Sequence, residues 1–131
     1  MNNLLPDNAF TFSPPIDSQY LIELYAGDYE MIAETFSDVL QDYDGFVQQI
    51  LSGYEQGDRI ALKSAVHKIK PLFGFIGLLA VQAQCQDFEN TCLQSDLTAL
   101  AADFNLMKTS FLSVRSLIER EKTRLEAFNK G

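Results

Sequence analysis

The longest regular pattern in this sequence is an apolar repeat between Asp28 and Gly57. Its apolar side chains alternate in steps of four and three residues: Tyr29, Ala33, Phe36, Leu40, Tyr43, Val47, Ile50 and Tyr54. Because an α-helix has about 3.6 residues per turn, this spacing places them on one side of a helix of about seven turns. The repeat predicts a long amphipathic helix that begins at Asp28, with Gly53 and Gly57 marking its end.

Two shorter helices are predicted on either side of this one. Asp17 or Ser18 is suited to begin a short helix that extends to about Tyr25. Asp58 is suited to begin the helix that follows the long one, and Gly77 ends or breaks it.

Two more amphipathic segments complete the chain. The apolar positions of the first are Leu78, Val81, Cys85, Phe88 and Cys92. The second, which Ser95 or Asp96 is suited to begin, has a longer apolar seam: Leu97, Leu100, Phe104, Met107, Phe111, Val114, Ile118, Leu125 and Phe128. Both segments predict helices that bury one side.

The order of these elements predicts the fold class. No stretch has a convincing strand pattern, and the turns between the helices are short. We therefore expect an all-α fold, an antiparallel up-and-down four-helix bundle with a short extra helix at its N-terminus. Residues 1–15 hold three of the four prolines, so we expect a poorly ordered lead-in there and a single domain over residues 16–131.

Composition excludes several classes of function. A chain of 131 residues that is 47% hydrophobic is suited to one domain with a sizeable core. Its net charge of −8 disfavours binding to nucleic acid or to anionic membrane, because both would repel it. The N-terminus lacks the basic start of a secretory signal, and the longest apolar run, residues 71–81, is too short to span a bilayer. We expect a monomeric cytoplasmic protein.

The two cysteines are interpreted as core residues. Cys85 and Cys92 lie seven residues apart, about 10 Å along one helix, which is too far for a disulfide between them. Reduced thiols agree with a cytosolic location. Together with a single histidine they form no recognisable metal site, so we expect none.

His67, the only histidine, lies in the helix that follows Asp58. On a helical wheel the direction opposite His67 is apolar: Leu62, Ala65, Ile69, Leu72, Phe73 and Ile76. The positions on the side of His67 are Ile60, Lys63, Ser64, Lys70, Pro71 and Gly74. Lys70 lies one turn further on, close enough for its ammonium to reach a group attached to the ring. The pattern predicts a solvent-facing imidazole on a helix whose other side is packed.

The segment around His67 resembles the phosphoacceptor motif of histidine phosphotransfer (HPt) domains. That motif has a lysine three residues after the histidine and a glycine ten residues after it, which are the positions of Lys70 and Gly77. The resemblance extends over the whole chain after the lead-in, since a long helix precedes the motif and a helix with Cys85 and Phe88-Glu89 follows it.

The resemblance implies a relay role. His67 would accept a phosphoryl group, by analogy on Nε2, from an aspartate of a receiver domain and pass it to another receiver. The partners implied are the receiver domains of a hybrid sensor kinase and of response regulators, which would supply Mg²⁺; the chain itself would need no cofactor. Lys70 would offset the charge of the transferred group, and Glu89 would orient the ring. Such a protein carries phosphohistidine and has no kinase activity of its own.

Other residues near His67 are candidates for a receiver-docking surface: Ile60, Lys63, Ser64, Pro71, Gly74 and Phe75. Alternatives are open for some of them. The lysines are also consistent with a solvated basic patch, Gly74 with close packing between two helices, and Phe75 with burial under the next helix.

The motif departs from the family at Pro71, where a glycine is usual, and at Leu72 and Phe73, where small residues are usual. Proline inside a helix removes a backbone hydrogen bond, so we expect a bend or a local loosening near His67. Two alternatives to the relay role are an inactive relative that docks receivers without carrying phosphate and an unrelated helical-bundle interaction module.

Overall fold

The computed structural model describes residues 9–131, apart from the side chain of Leu97, and this part of the chain contains helices and no strand. The helices are α1 (Ser18–Leu24), α2 (Tyr29–Glu55), α3 (Arg59–Phe75), α4 (Leu79–Cys92) and α5 (Leu97–Lys130). The prediction of an all-α fold is confirmed. None of these five helices combines the length and the apolar character that crossing a lipid bilayer requires.

Aspartate side chains begin four of these helices. Asp17, Asp28, Asp58 and Asp96 each accept a hydrogen bond from the backbone N–H three residues further on, at 2.8–3.0 Å. Each bond satisfies one of the N–H groups that the first turn of a helix leaves without a partner. Where the sequence left two candidates open, Asp17 and Asp96 are the capping residues.

The main core lies between the four longer helices. α3 packs against α2 and α4, and α5 also packs against α2 and α4. At the centre of the core, Phe73 and Phe111 stack with ring centroids 5.5 Å apart. The buried hydroxyl of Tyr43 donates a hydrogen bond of 2.8 Å to the backbone carbonyl of Phe111. These contacts tie α2, α3 and α5 together, with every buried polar atom of Tyr43 paired.

Gly53 lies inside α2 and does not mark its end, so that prediction was wrong. A Cβ atom at this position would lie 3.1 Å from both Cα and N of Leu62. The glycine therefore lets the backbones of α2 and α3 approach closely. Gly57, whose φ is +67°, does follow the end of α2, as predicted.

Residues 9–16 pack onto the bundle. Phe10, Phe12 and Ile16 are buried, and the ring of Phe12 stacks on Phe36 with centroids 5.5 Å apart. This packing corrects the expectation of a poorly ordered lead-in for residues 9–15; residues 1–8 lie outside the described residues. The proline content suggested disorder, but burial of the apolar side chains of Phe10 and Phe12 favours packing of this segment onto the bundle.

Candidate functional site

The candidate site is centred on His67, in the middle of α3. The side chain of His67 is 67% exposed, whereas Val66, Ile69 and Phe73 of the same helix are buried. Leu62, Ala65 and Ile76 are buried as well, and Leu72 is half-buried against the core. The helix is therefore amphipathic, as the sequence predicted, with the imidazole on its solvent-exposed side.

Glu89 reaches the imidazole from the neighbouring helix α4. Its Oε1 lies 2.8 Å from Nδ1 of His67, and Glu89 itself is only 6% exposed. An ionised carboxylate can only accept hydrogen bonds, so a contact with the ionised form of Glu89 requires the proton to be on Nδ1. In a neutral ring the lone pair is then on Nε2, which makes Nε2 the nucleophilic atom.

Lys70 contacts the second carboxylate oxygen of Glu89, on the side away from the imidazole. Its Nζ lies 2.7 Å from Oε2 of Glu89 and donates a hydrogen bond of 2.7 Å to Oε1 of Gln86. The Gln86 amide in turn donates to Oδ1 of Asn90 at 2.8 Å. The Lys70 side chain is 16% exposed, so its ammonium faces Glu89 and α4 rather than the solvent. Gln86 was missed at the sequence level, although it lies one turn before Glu89 on the same side of α4.

A shallow groove of about 370 Å³ lies beside His67 and Glu89. Ile60, which is 75% exposed, and Leu93, which is 48% exposed, form its apolar walls, and Lys63 and Ser64 also line it. Leu93 was also missed, because it follows the end of α4 and belongs to no helical repeat in the sequence.

The other residues of the expected docking surface are placed differently. Pro71 is exposed, and α3 continues without interruption through it to Phe75, which is 50% exposed. Gly74, in contrast, is buried: a Cβ atom there would lie 2.6 Å from Nε2 of Gln82. The placement of Gly74 on an open surface is therefore corrected, because the Gln82 side chain covers it. A bend of the helix at Pro71 stays a prediction.

The two cysteines are buried in α4 and not bonded to each other. Burial raises the pKa of the Cys85 thiol from 9.0 to about 12, and burial also raises the pKa of Cys92. Both therefore stay protonated at neutral pH. Within residues 9–131, no three His, Cys, Asp or Glu side chains come together in a way that would hold a metal ion.

Comparison with known protein families agrees with this geometry. A family model described as Hpt domain matches residues 30–127, about three quarters of the chain. The chain belongs to the Hpt domain family. The resemblance inferred from the motif around His67 is thereby confirmed. No curated protein and no solved structure matches the chain.

As an Hpt domain, the chain belongs to a family that works in histidine phosphotransfer in phosphorelays and interacts with receiver domains. The family match covers α2, α3 and α4 and most of α5. The match begins after α1, so α1 and residues 9–16 lie outside the matched region.

Proposed function

We propose that this Hpt domain is a phosphorelay intermediate that accepts a phosphoryl group on Nε2 of His67. The donor is an aspartyl phosphate on a receiver domain of a hybrid sensor kinase, and the acceptor is the receiver of a response regulator. The observation that carries the proposal is the orientation of the only histidine: it is exposed, Glu89 contacts Nδ1, and no side chain in residues 9–131 bonds to Nε2.

The transfer step follows from these positions. The Nε2 lone pair forms a bond to phosphorus while the bond from phosphorus to the carboxylate oxygen of the receiver aspartate breaks, and the electron pair leaves with that oxygen. The ring becomes positively charged, with the proton kept on Nδ1, and the carboxylate of Glu89 stabilises that charge. The receiver contributes Mg²⁺ and the aspartate, and this chain contributes no cofactor. Return of the phosphoryl group to a second receiver reverses the step.

The docking surface that we propose surrounds His67 on the exposed side of α3 and includes the first residue after α4. It comprises Ile60, Lys63, Ser64, Pro71 and Phe75 together with Leu93. α3 as a whole is basic: it contains one arginine and three lysines and no acidic residue, in a chain with a net charge of −8, and Lys63 lies on the proposed surface. An acidic receiver site is the complementary partner.

We further propose that the four longer helices alternate in direction around one core, as a single cytoplasmic domain over residues 16–131, onto which residues 9–15 also pack, and that this domain acts as a monomer. The helices are separated by turns of only a few residues, 56–58, 76–78 and 93–96, and each helix packs against its successor. Short connections of this kind favour antiparallel neighbours.

Transfer of label from phosphorylated receivers tests the function. A panel of receiver domains from the source organism is phosphorylated with radiolabelled acetyl phosphate and mixed with the full chain. We expect acid-labile, base-stable label on this protein, its passage to a second receiver, and no label on His67→Gln. Receiver binding without label would establish the inactive adaptor instead, and the absence of both binding and label would contradict any relay role. Circular dichroism of His67→Gln serves as the control for folding.

A further inference from the structure

Pro71 lies inside α3, one turn after His67, and α3 stays α-helical on both sides of it. In an α-helix the N–H of each residue bonds to the carbonyl four residues earlier, so an N–H at position 71 would bond to the carbonyl of His67. Proline has no N–H, and the next N–H, that of Leu72, is directed at the carbonyl of Lys68. The backbone carbonyl of His67 therefore lacks its helical donor.

This carbonyl belongs to the exposed side of α3. Helix carbonyls point along the axis towards the C-terminus, so it is directed from His67 towards Pro71, and both residues are exposed. A proline ring crowds the carbonyl four residues earlier, which favours a tilt of that carbonyl towards solvent. The ammonium of Lys70 is directed at α4 instead, and no other side chain in residues 9–131 donates a hydrogen bond to the oxygen.

Docking of a receiver changes what surrounds this oxygen. A receiver that exchanges a phosphoryl group with the imidazole of His67 comes close to the backbone of the same residue. Water satisfies an exposed carbonyl in the free protein, but a docked partner displaces that water. A carbonyl that is buried without a donor is costly, whereas one that gains a donor is not. Receivers that bring a hydrogen-bond donor to this point are therefore favoured over receivers that bring a carbonyl or an apolar group.

We infer that Pro71 is a specificity-determining residue, which leaves the backbone carbonyl of His67 as the acceptor for an N–H or O–H donor of the docked receiver. This inference rests on the proposed function of His67. The hydrogen bond forms on docking and leaves the transfer at Nε2 unchanged. Each of the other standard amino acids at position 71 would carry an N–H and close the bond within α3, so the open acceptor depends on proline.

A matched pair of variants separates the missing N–H from the shape of the proline ring. Pro71→Ala restores the N–H and with it the bond to the carbonyl of His67. Pro71→lactic acid, introduced by nonsense suppression, carries the same methyl group on a backbone ester and has no N–H. The two proteins differ only by N–H against oxygen at this position. The ester weakens the carbonyl of Lys70 as an acceptor and leaves the carbonyl of His67 a normal amide.

Titration calorimetry with an unphosphorylated receiver that exchanges label with the wild type gives the affinities. Pro71→Ala should raise Kd about threefold to tenfold, which corresponds to the loss of one hydrogen bond. The lactic acid variant should bind like the wild type. An alanine variant that binds as tightly as the lactic acid variant would overturn the inference. Urea unfolding is the control for folding, and Pro71→Ala should be the more stable protein, because it gains a helical hydrogen bond.

A small phosphoryl donor separates docking from the chemistry of the ring. Phosphoramidate phosphorylates imidazole without presenting a protein surface, so the wild type and both variants should take up phosphate from it at equal rates. A slower Pro71→Ala variant in this assay would contradict the inference, because the carbonyl would then act on the imidazole rather than on the receiver. Failure of the relay function is distinguishable from both results, since it would appear as a wild-type protein that takes no label from any receiver.

Discussion

The carboxylate of Glu121 in α5 is bonded to Ser13, which lies 108 residues earlier in the chain. The backbone N–H of Ser13 donates to Oε1 at 2.6 Å, and its hydroxyl donates to Oε2 at 3.1 Å. Glu121 is completely buried, and Arg124 donates to Oε1 at 2.6 Å and compensates its charge. This buried carboxylate fastens residues 9–16 to the last helix.

Replacement of Glu121 by alanine should destabilise the protein by about 2–3 kcal/mol. The substitution leaves the partly buried Ser13 N–H and the Arg124 guanidinium without their acceptor, and bonds to a charged group are among the stronger ones. Urea unfolding followed by circular dichroism measures the loss. Glu34→Ala on the exposed side of α2 is the control and should change stability by less than about 0.5 kcal/mol. Equal unfolding midpoints for the two variants would refute this role of Glu121.

Two glycines of α2 should respond to alanine in opposite directions. At Gly45 a Cβ atom would have nothing within 4 Å, so Gly45→Ala should stabilise the helix by about 0.5–1 kcal/mol. At Gly53 a Cβ atom would lie 3.1 Å from backbone atoms of Leu62, so Gly53→Ala should push α2 and α3 apart and cost about 1–3 kcal/mol.

Thermal unfolding of both glycine variants measures the difference. The pair is internally controlled, since the two substitutions are chemically identical and lie in the same helix. A stabilised Gly53→Ala variant would show that the close approach of α2 to Leu62 does not restrict this position.

The apolar walls of the groove beside His67 should contribute to receiver binding. We expect Ile60→Ser and Leu93→Ser each to weaken binding by about 1–2 kcal/mol, because exposed apolar side chains near the centre of an interface are typical anchors. That loss corresponds to roughly a fivefold to thirtyfold rise in Kd. Leu112→Ser is the control: Leu112 is 62% exposed but belongs to α5, which packs against α2 and α4. Isothermal titration with the receiver that exchanges label gives the constants, and equal affinities for all three variants would exclude the groove from the interface.

The thiol of Cys85 should be unreactive in the folded protein. Burial raises its pKa from 9.0 to about 12, and the thiolate is the form that reacts with alkylating agents. We expect iodoacetamide at pH 8 to modify the protein slowly in buffer and fast in urea, as followed by mass spectrometry. Native protein that is alkylated as fast as the unfolded chain would contradict the burial.

The same shift in pKa predicts how stability depends on pH. The folded state holds the proton of Cys85 more tightly than the unfolded state, so this contribution is fully present below about pH 9 and is lost as pH rises towards 12. Cys85→Ala should weaken this alkaline loss of stability, measured by urea unfolding at a series of pH values.

Much of the local structure was predictable because its causes lie within one helix. Capping depends on an aspartate and the three residues after it, and Asp28 and Asp58 were identified on that basis. The exposure of His67 follows from the apolar spacing of its own helix. The family was recognisable because its motif, from His67 to Gly77, is contiguous in the chain.

Contacts between helices were not predictable in the same way. Gly53 was taken for a helix end, and only the 3.1 Å distance to Leu62 shows that it permits a close crossing. Gln86 and Leu93 were missed because their roles depend on which side of α4 and of the following loop faces α3. Sequence spacing determines which residues share a helix face, but the rotation of one helix against another determines which of these residues meet.

The amino-acid sequence by itself determined that this chain is helical, where most of its helices begin, and that one histidine faces away from the core. The family resemblance had already indicated Glu89 and Lys70 near that histidine, and the tertiary structure decided how they meet: Glu89 contacts Nδ1, Lys70 contacts the other carboxylate oxygen, and an apolar groove lies beside the ring. The physical reason is that helical periodicity is a property of one segment, whereas the pairing of buried charges depends on the relative placement of two segments far apart in the chain.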